Sequence, residues 1–334
     1  MMISNTNTRK KIGTMKNEMR TIPNRLDWMD WAKAIAITLV VFGHLRSDFM
    51  SYIFSFHMPF FIMLSGFLQK KRPLREECIK SAKSLLAPYV LYNIYLLVYS
   101  LFTGEYTADY PWSMAVGLQW NLSMACRPLW FLLALFWMRL AYAALPLKGS
   151  YVLALFCGLF TWSFAGSDVM SPTHNFFQVF AAVICYPFFV IGTLMNSWKG
   201  YRLPIRWTSI CYLIALSQVV IGLWLAHMNG FVNIFRCNPG DVVPLFYLSA
   251  TLVSVGLMQL VYYAFNRPNC YIQLVSEGTL IIFALHQSIF WPLRGWMPQG
   301  NFWALSIALV AVVGLSGLAW LSRRYCPVLI GKWK

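Results

Sequence analysis

His44 and His57 each place a titratable ring in an otherwise apolar stretch of this chain. An ionisable group in such a stretch is expensive to bury and marks a functional position by default. Asp48 follows His44 by four residues, which puts both on one face if the helix continues. A carboxylate beside an imidazole fixes its tautomer and raises its basicity, as a general base requires. The other reading is a neutral ring hydrogen-bonded inside a bundle, with Asp48 at the headgroups; the residues alone leave both open. His57 stands two residues before Pro59. Proline removes a backbone N–H and bends a helix, and the freed carbonyl must find a partner or line a wet cavity. His57 is then either that partner or part of the wall of such a cavity.

Further polar residues fall among apolar neighbours. Arg127 precedes Pro128 and Trp130 in "RPLWFL". An arginine with a nearby tryptophan can bind a carboxylate or phosphate, or stack on a sugar; it can equally be an interfacial anchor. Arg139 lies mid-run, where a charge needs a partner, and elimination among the few acidic residues points to Glu277. His286 sits in "IIFALHQSIF", either as a bundle residue or as part of a binding site, while His174 and His227 read as loop residues. Ser65–Gly66 suits close helix packing. The stretch "KKRPLREECIKSAK" (70–83), with Arg25 and Lys33 upstream, is the densest positive patch. It serves topology and anionic headgroups, or cradles a phosphorylated ligand. No HxxxH or HExxH spacing occurs, so no metal is expected. The absence of GxxxxGK[ST] and GxGxxG leaves an ATP-driven pump or a dinucleotide enzyme without support.

The elements that must position these residues follow from composition. The chain has 334 residues, 59% hydrophobic and 11% charged, against roughly 25% charged in soluble domains. Apolar runs repeatedly approach the ~20 residues that cross a bilayer. The expected fold is an all-α integral membrane bundle of about ten transmembrane helices, at 31–50, 52–69, 84–102, 129–147, 150–166, 176–197, 207–227, 243–264, 271–291 and 302–322. Residues 1–26 form a basic cytoplasmic tail with no cleavable signal, and 27–334 a single transmembrane domain. The net charge of +16 is not a nucleic-acid signature, because Lys and Arg cluster between apolar runs. With both termini cytoplasmic, all but five of the 27 lie on the inner side, the exceptions being Arg46, Arg127, Arg139, Arg236 and Arg294. That is the positive-inside asymmetry. Residues 111–125 read as an outer interfacial or re-entrant segment rather than a span. The same layout puts all five histidines on the outer side and His44 and His57 at one depth, each about 9 Å below a tight turn at ~1.5 Å rise per residue. The eight cysteines are scattered singly; Cys126 and Cys237 both face outward, where a disulfide is open to them.

Four segments together resemble a known family. "RLDWMDWAKAIAITLVVFGH" (25–44) is similar to the opening span of the membrane acyltransferase-3 family. "FSFHMPFFIMLSGFL" (54–68) resembles its second span in the form seen in fucose 4-O-acetylase-like members. "RPLWFLLALF" (127–136) and "EGTLIIFALHQSIF" (277–290) resemble its Leu-Trp-Phe-Leu segment and a late span ending in histidine. The resemblance implies about ten spans in the cell's inner membrane and an O-acyltransferase. Such an enzyme moves an acetyl or other short acyl group from acyl-CoA, a co-substrate rather than a resident cofactor, to a sugar hydroxyl of a surface glycan or lipid-linked precursor. It places the catalytic role on His44, and sets Lys70, Arg72 and Lys83 against the CoA phosphates. Arg25 and Lys33 join that cradle. Lys33 stands where Arg is commoner, and Glu277 replaces a small or amide residue.

The expected chemistry is general-base attack. His44, oriented by Asp48, takes the hydroxyl proton, Arg127 or His57 holds the oxyanion, and Trp130 and His286 contact the acceptor. The difficulty is that acyl-CoA is cytosolic while His44 lies near the outer face. Either the pantetheine arm reaches through the bundle or an acyl-enzyme, on His44 itself, carries the group. The rival from another class is a non-enzymatic transporter or flippase for a glycan or lipid, and a third is a membrane sensor partner. Besides acyl-CoA and the acceptor, the partners are membrane lipids; no nucleic acid is expected.

Overall fold

The computed structural model describes residues 25–45, 47–122, 124–196 and 208–333. Thirteen α-helices account for nearly all of its regular structure. α1 (Asp27–Gly43) and α2 (Met50–Leu68) form the opening hairpin. α3 (Leu74–Ser81) runs through a π-helical turn, Ala82–Leu86, into α4 (Ala87–Thr103). A short α5 (Tyr110–Ala115) and two 3-10 turns, Gln119–Asn121 and Met124–Leu129, lead to α6 (Trp130–Ala144). α7 (Leu147–Phe164), α8 (Val179–Met195), α9 (Thr208–Met228) and α10 (Val243–Ala264) follow. α11 (Cys270–Glu277), α12 (Thr279–Leu293) and α13 (Asn301–Tyr325) complete the bundle.

Each of the ten predicted spans holds a helix, but among the described residues length and apolarity support seven crossings, or eight if α11 and α12 count as one bent pair. The predicted span 31–50 becomes a 17-residue helix and 129–147 a 15-residue one. The latter is about 22 Å long, short of a ~30 Å hydrocarbon core. The predicted span 271–291 is broken, its halves bent by 68°. Gly278 sits at the break, where a Cβ would lie 2.7 Å from the Ala319 side chain. Residues 111–125 hold only short helical turns, so they form no span.

The core helix is α2. Of its apolar window 67% is buried, against 17% for α7 and for α9, whose outward faces are rich in Leu, Ile, Val and Trp. Gly66 of α2 and Gly192 of α8 let the two backbones touch. A Cβ on Gly66 would stand 2.1 Å from the Phe189 carbonyl oxygen, and one on Gly192 2.2 Å from that of Met63. This is the small-residue packing expected for Ser65–Gly66.

Arg25 near the start of the described chain and Lys332 near its end both pair with Glu277. The two ends therefore share one face, called here the terminal end. α1 carries the chain from there to His44 at the opposite, histidine end.

Candidate active site

α1 stops at Gly43, and His44 caps it as the chain turns toward α2. The predicted i, i+4 partnership with Asp48 consequently does not form, because no helix continues beneath it. Asp48 instead bonds Asn301 twice at the start of α13: its carboxylate accepts from Asn301 Nδ2 at 2.9 Å and its N–H donates to Asn301 Oδ1 at 2.9 Å. The neighbours of His44 are rings. His286 lies 5.1 Å away between centroids, Phe54 5.2 Å and His57 6.5 Å. The shared depth expected for His44 and His57 is thus realised, and α12 adds a third imidazole.

The backbone orients two of these rings. Nδ1 of His57 lies 2.7 Å from the carbonyl of Ile53. Nδ1 of His286 lies 3.0 and 2.9 Å from those of Ile282 and Phe283. Carbonyl oxygens only accept, so geometry assigns the proton to Nδ1 in both and leaves Nε2 as the acceptor. Nε2 of the fully buried His286 has no hydrogen-bond partner. His57 does bond a backbone carbonyl, but that of Ile53, not the Ser55 carbonyl four residues before Pro59; it also lines a cavity. His57 therefore stands in the cavity wall and is not the partner of the carbonyl that Pro59 frees.

That cavity has a volume of about 300 Å³. His44, His57, Trp130, Gln287 and Phe54 line it, with Arg127 half-buried in one wall and Arg236 and Arg294 exposed at its mouth. Across His44, a second hollow of about 20 Å³ shares Gln287 and Arg294, room for one water. Arg127 and Arg236 both lie over the Trp120 ring, at 5.0 and 5.2 Å. Burial and then the charge of Arg236 lower the Arg127 pKa from its ordinary value, with Glu105 opposing. A compact loop holds Arg236. Asn233 and Asn238 pair across it, Asn233 Oδ1 accepts the Arg236 N–H, and Asn229 ties Pro239 and Val242. Gly240 closes that loop at φ +93°, where a Cβ would meet Asn229 Nδ2 at 2.2 Å.

Residues 26–321 match the family model of an acyltransferase domain. The chain belongs to the acyltransferase-3 family. No curated protein and no solved structure matches it. An acyltransferase-3 chain with these apolar helices is a multi-pass membrane acyltransferase, and the histidine cavity is where its sequence-predicted residues meet: His44, His57, Arg127 and Trp130 line it, with His286 buried beside His44. Asp48 does not join them.

The predicted cradle residues lie toward the terminal end of this acyltransferase, in two conditions. Arg25 is engaged by Asp30 at 2.5 Å and Glu277 at 2.9 Å, and Arg72 by Glu77 at 3.0 Å and Glu76 at 3.3 Å. Lys70 and Lys83 are exposed, with Lys83 over the Trp333 ring. Lys71 donates to the carbonyls of Tyr142 and Leu145. Half-buried Lys33 makes no ion pair, though Asp30, Arg25, Arg139 and Glu277 are within electrostatic reach. Arg139 does not pair with Glu277, which holds Arg25, Lys332 at 3.1 Å and Arg323 at 3.5 Å. Elimination by charge overlooked these nearer cations. Arg139 donates to Ser65 at 3.3 Å, with Glu77 the acidic group in electrostatic reach and its own Nε unpartnered.

Cys237 is a buried free thiol, and the side chain of Cys126, its expected partner, lies outside the described ones. His227 lies in the last turn of α9, stacked on Tyr52, rather than in a loop. Sequence reasoning assigned no role to Arg236, Arg294, Gln287 or Phe54. The two arginines had one signal, their place among the few outer-side exceptions to the charge asymmetry.

Proposed function

We propose that this acyltransferase moves an acetyl or other short acyl group from acyl-CoA to a sugar hydroxyl of a glycan or lipid-linked glycan precursor, in the cell's inner membrane with both termini cytoplasmic. The observation that carries the reading is the clustering of three imidazoles, His44 and His57 in the cavity wall and the buried His286 behind His44, within a matched acyltransferase domain.

A hydroxyl is a poor nucleophile at neutral pH. His44, which faces the cavity and whose ring has no hydrogen bond to another described residue, takes the hydroxyl proton as the oxygen attacks the thioester carbonyl. Arg127 offers cationic N–H groups to the oxyanion, a role worth ~3 kcal/mol in comparable sites. The carbon–sulfur bond then breaks, and the proton on His44 passes to the leaving thiolate of CoA. His57 and His286 present acceptor nitrogens and flank His44 with polarisable rings.

On the donor side, Lys33 lies eleven residues before His44 on α1, about 16 Å along the helix. Lys33 and Arg139 are cations without carboxylate partners between the terminal end and the cavity. Lys70 and Lys83 remain available at the surface, whereas the ion pairs of Arg25 and Arg72 favour structural roles. CoA phosphates at Lys33 and Arg139 would aim the pantetheine arm along α1 toward His44.

The test is purified protein in nanodiscs with radiolabelled acetyl-CoA and a glycolipid extract. Label in the glycan, or slow thioester hydrolysis without acceptor, is the expected result. Neither label nor hydrolysis, combined with glycolipid crossing the bilayer, would replace the enzyme by a flippase.

A further inference from the structure

The walls of the histidine cavity are one-signed. Arg127, Arg236 and Arg294 line it, and no described Asp or Glu does. None of the three forms an ion pair with a described residue, although Arg127 is half-buried and its Nε is buried without a hydrogen-bond partner. Arg127 and Arg236 are held over one indole despite their like charge. Their rings of contact, Trp120 and Phe235, supply cation–π attraction but leave the N–H groups at the guanidinium edges free to donate. Glu105 lies within electrostatic reach of Arg127 and forms no ion pair with a described cation. The nearby Asp48 is occupied by Asn301. A neutral sugar acceptor gives no reason for gathering three uncompensated guanidiniums at the place where it would sit.

We infer that the acceptor is an anion: a phosphate or carboxylate of the glycan precursor sits between Arg127 and Arg236, over Trp120, and so presents a neighbouring hydroxyl to His44. This inference rests on the acyltransferase reading above and names the class of its second substrate. The same oxyanion chemistry has two sources, a glycosyl phosphate from a lipid-linked intermediate or the carboxylate of an acidic sugar. Arginine forks accept both. The anchoring also gives the reaction direction. With its charged group fixed at the mouth, the acceptor reaches inward, while the thioester approaches from the opposite end of α1.

The full chain in nanodiscs is supplied with labelled acetyl-CoA and one of three acceptors: a neutral methyl glycoside, the corresponding glycosyl phosphate, or the corresponding uronic acid. One charge-assisted contact retained in part at an open mouth gives the better charged acceptor about a tenfold advantage in kcat/KM over the neutral one. The preferred charged acceptor identifies the source. In Arg236→Gln this charged-over-neutral ratio falls by about threefold or more, through KM. Equal use of charged and neutral acceptors by the wild type overturns the inference. So does a rise in the KM for acetyl-CoA alone in Arg236→Gln, which would assign the arginines to the donor phosphates. Thermal stabilisation of the protein by the glycosyl phosphate or uronic acid without acetyl-CoA is read in parallel. Stabilisation that is lost in Arg236→Gln, without any acyl transfer or thioester hydrolysis, keeps the anion site and discards the acyltransferase step. Absence of both stabilisation and charge preference discards the anion site while transfer to the neutral glycoside keeps the enzyme.

Discussion

The two ends of the bundle are both rich in cations but use them in opposite ways. At the terminal end, Glu277 gathers Arg25, Arg323 and Lys332, Asp30 takes Arg25 and Ser276, and Glu77 takes Arg72 and Ser81. The Asp30 and Glu277 networks fasten the start of α1, the break between α11 and α12, and the end of α13 to one another, while that of Glu77 ties Arg72 to α3. At the histidine end, Arg127, Arg236 and Arg294 face a cavity that no described carboxylate lines. A charge that has found its counter-charge holds the fold, whereas a charge left beside an empty volume awaits a ligand. Lys33 and Arg139 fall between these cases, inside the bundle at the terminal half yet without an ion pair.

Four measurements would sharpen or break this contrast. The largest effect belongs to His44. His44→Ala should lower acyl transfer by about 10³-fold, the range of a lost general base, while the protein still inserts and purifies; transfer within tenfold of wild type would remove the base from the cavity. Glu277→Gln should act on stability instead, costing about 1–2 kcal/mol because half-buried Arg25 loses one of its two carboxylate partners. That would be read as a lowered unfolding temperature with the acceptor KM preserved, and an unchanged temperature would break the claim that the terminal end is structural. Lys33→Gln should raise the KM for acetyl-CoA about tenfold with little change in kcat, the loss of roughly one charge-assisted contact; an effect on the acceptor KM instead would move Lys33 out of the donor path. The smallest effect is expected from Asp48→Asn, within about threefold in kcat, as for an exposed polar change. A hundredfold loss there would restore the His44–Asp48 partnership that the helix end at Gly43 denies.

What was legible in the sequence depended on how local the cause was. The shared depth of His44 and His57 needed only the helical rise and a tight hairpin, and the rings do lie 6.5 Å apart. The arrival of His286 beside them could not be read that way, since it depends on how α12 packs against α1 after a 68° bend. Asp48 was misplaced because the length of a full span was carried on to residue 50, through the polar stretch His44 to Asp48, whereas the helix ends at Gly43. Arg139 was matched with Glu277 because charge was counted without distance, whereas Glu277 sits beside three nearer cations. The positive-inside count carried more than topology. Of its five outer exceptions, Arg127, Arg236 and Arg294 line the cavity, Arg139 lies inside the bundle, and Arg46 lies outside the described residues. Residues that resist a topological explanation were thus a better guide to the site than residues that obey it.

The crossing of α2 and α8 at Gly66 and Gly192 has a mechanical consequence. Two backbones in contact have no side-chain cushion to absorb sliding, so this pair acts as a fixed axle. Any breathing of the bundle must then come from the helices around the axle, beginning with the weakly buried α7 and α9.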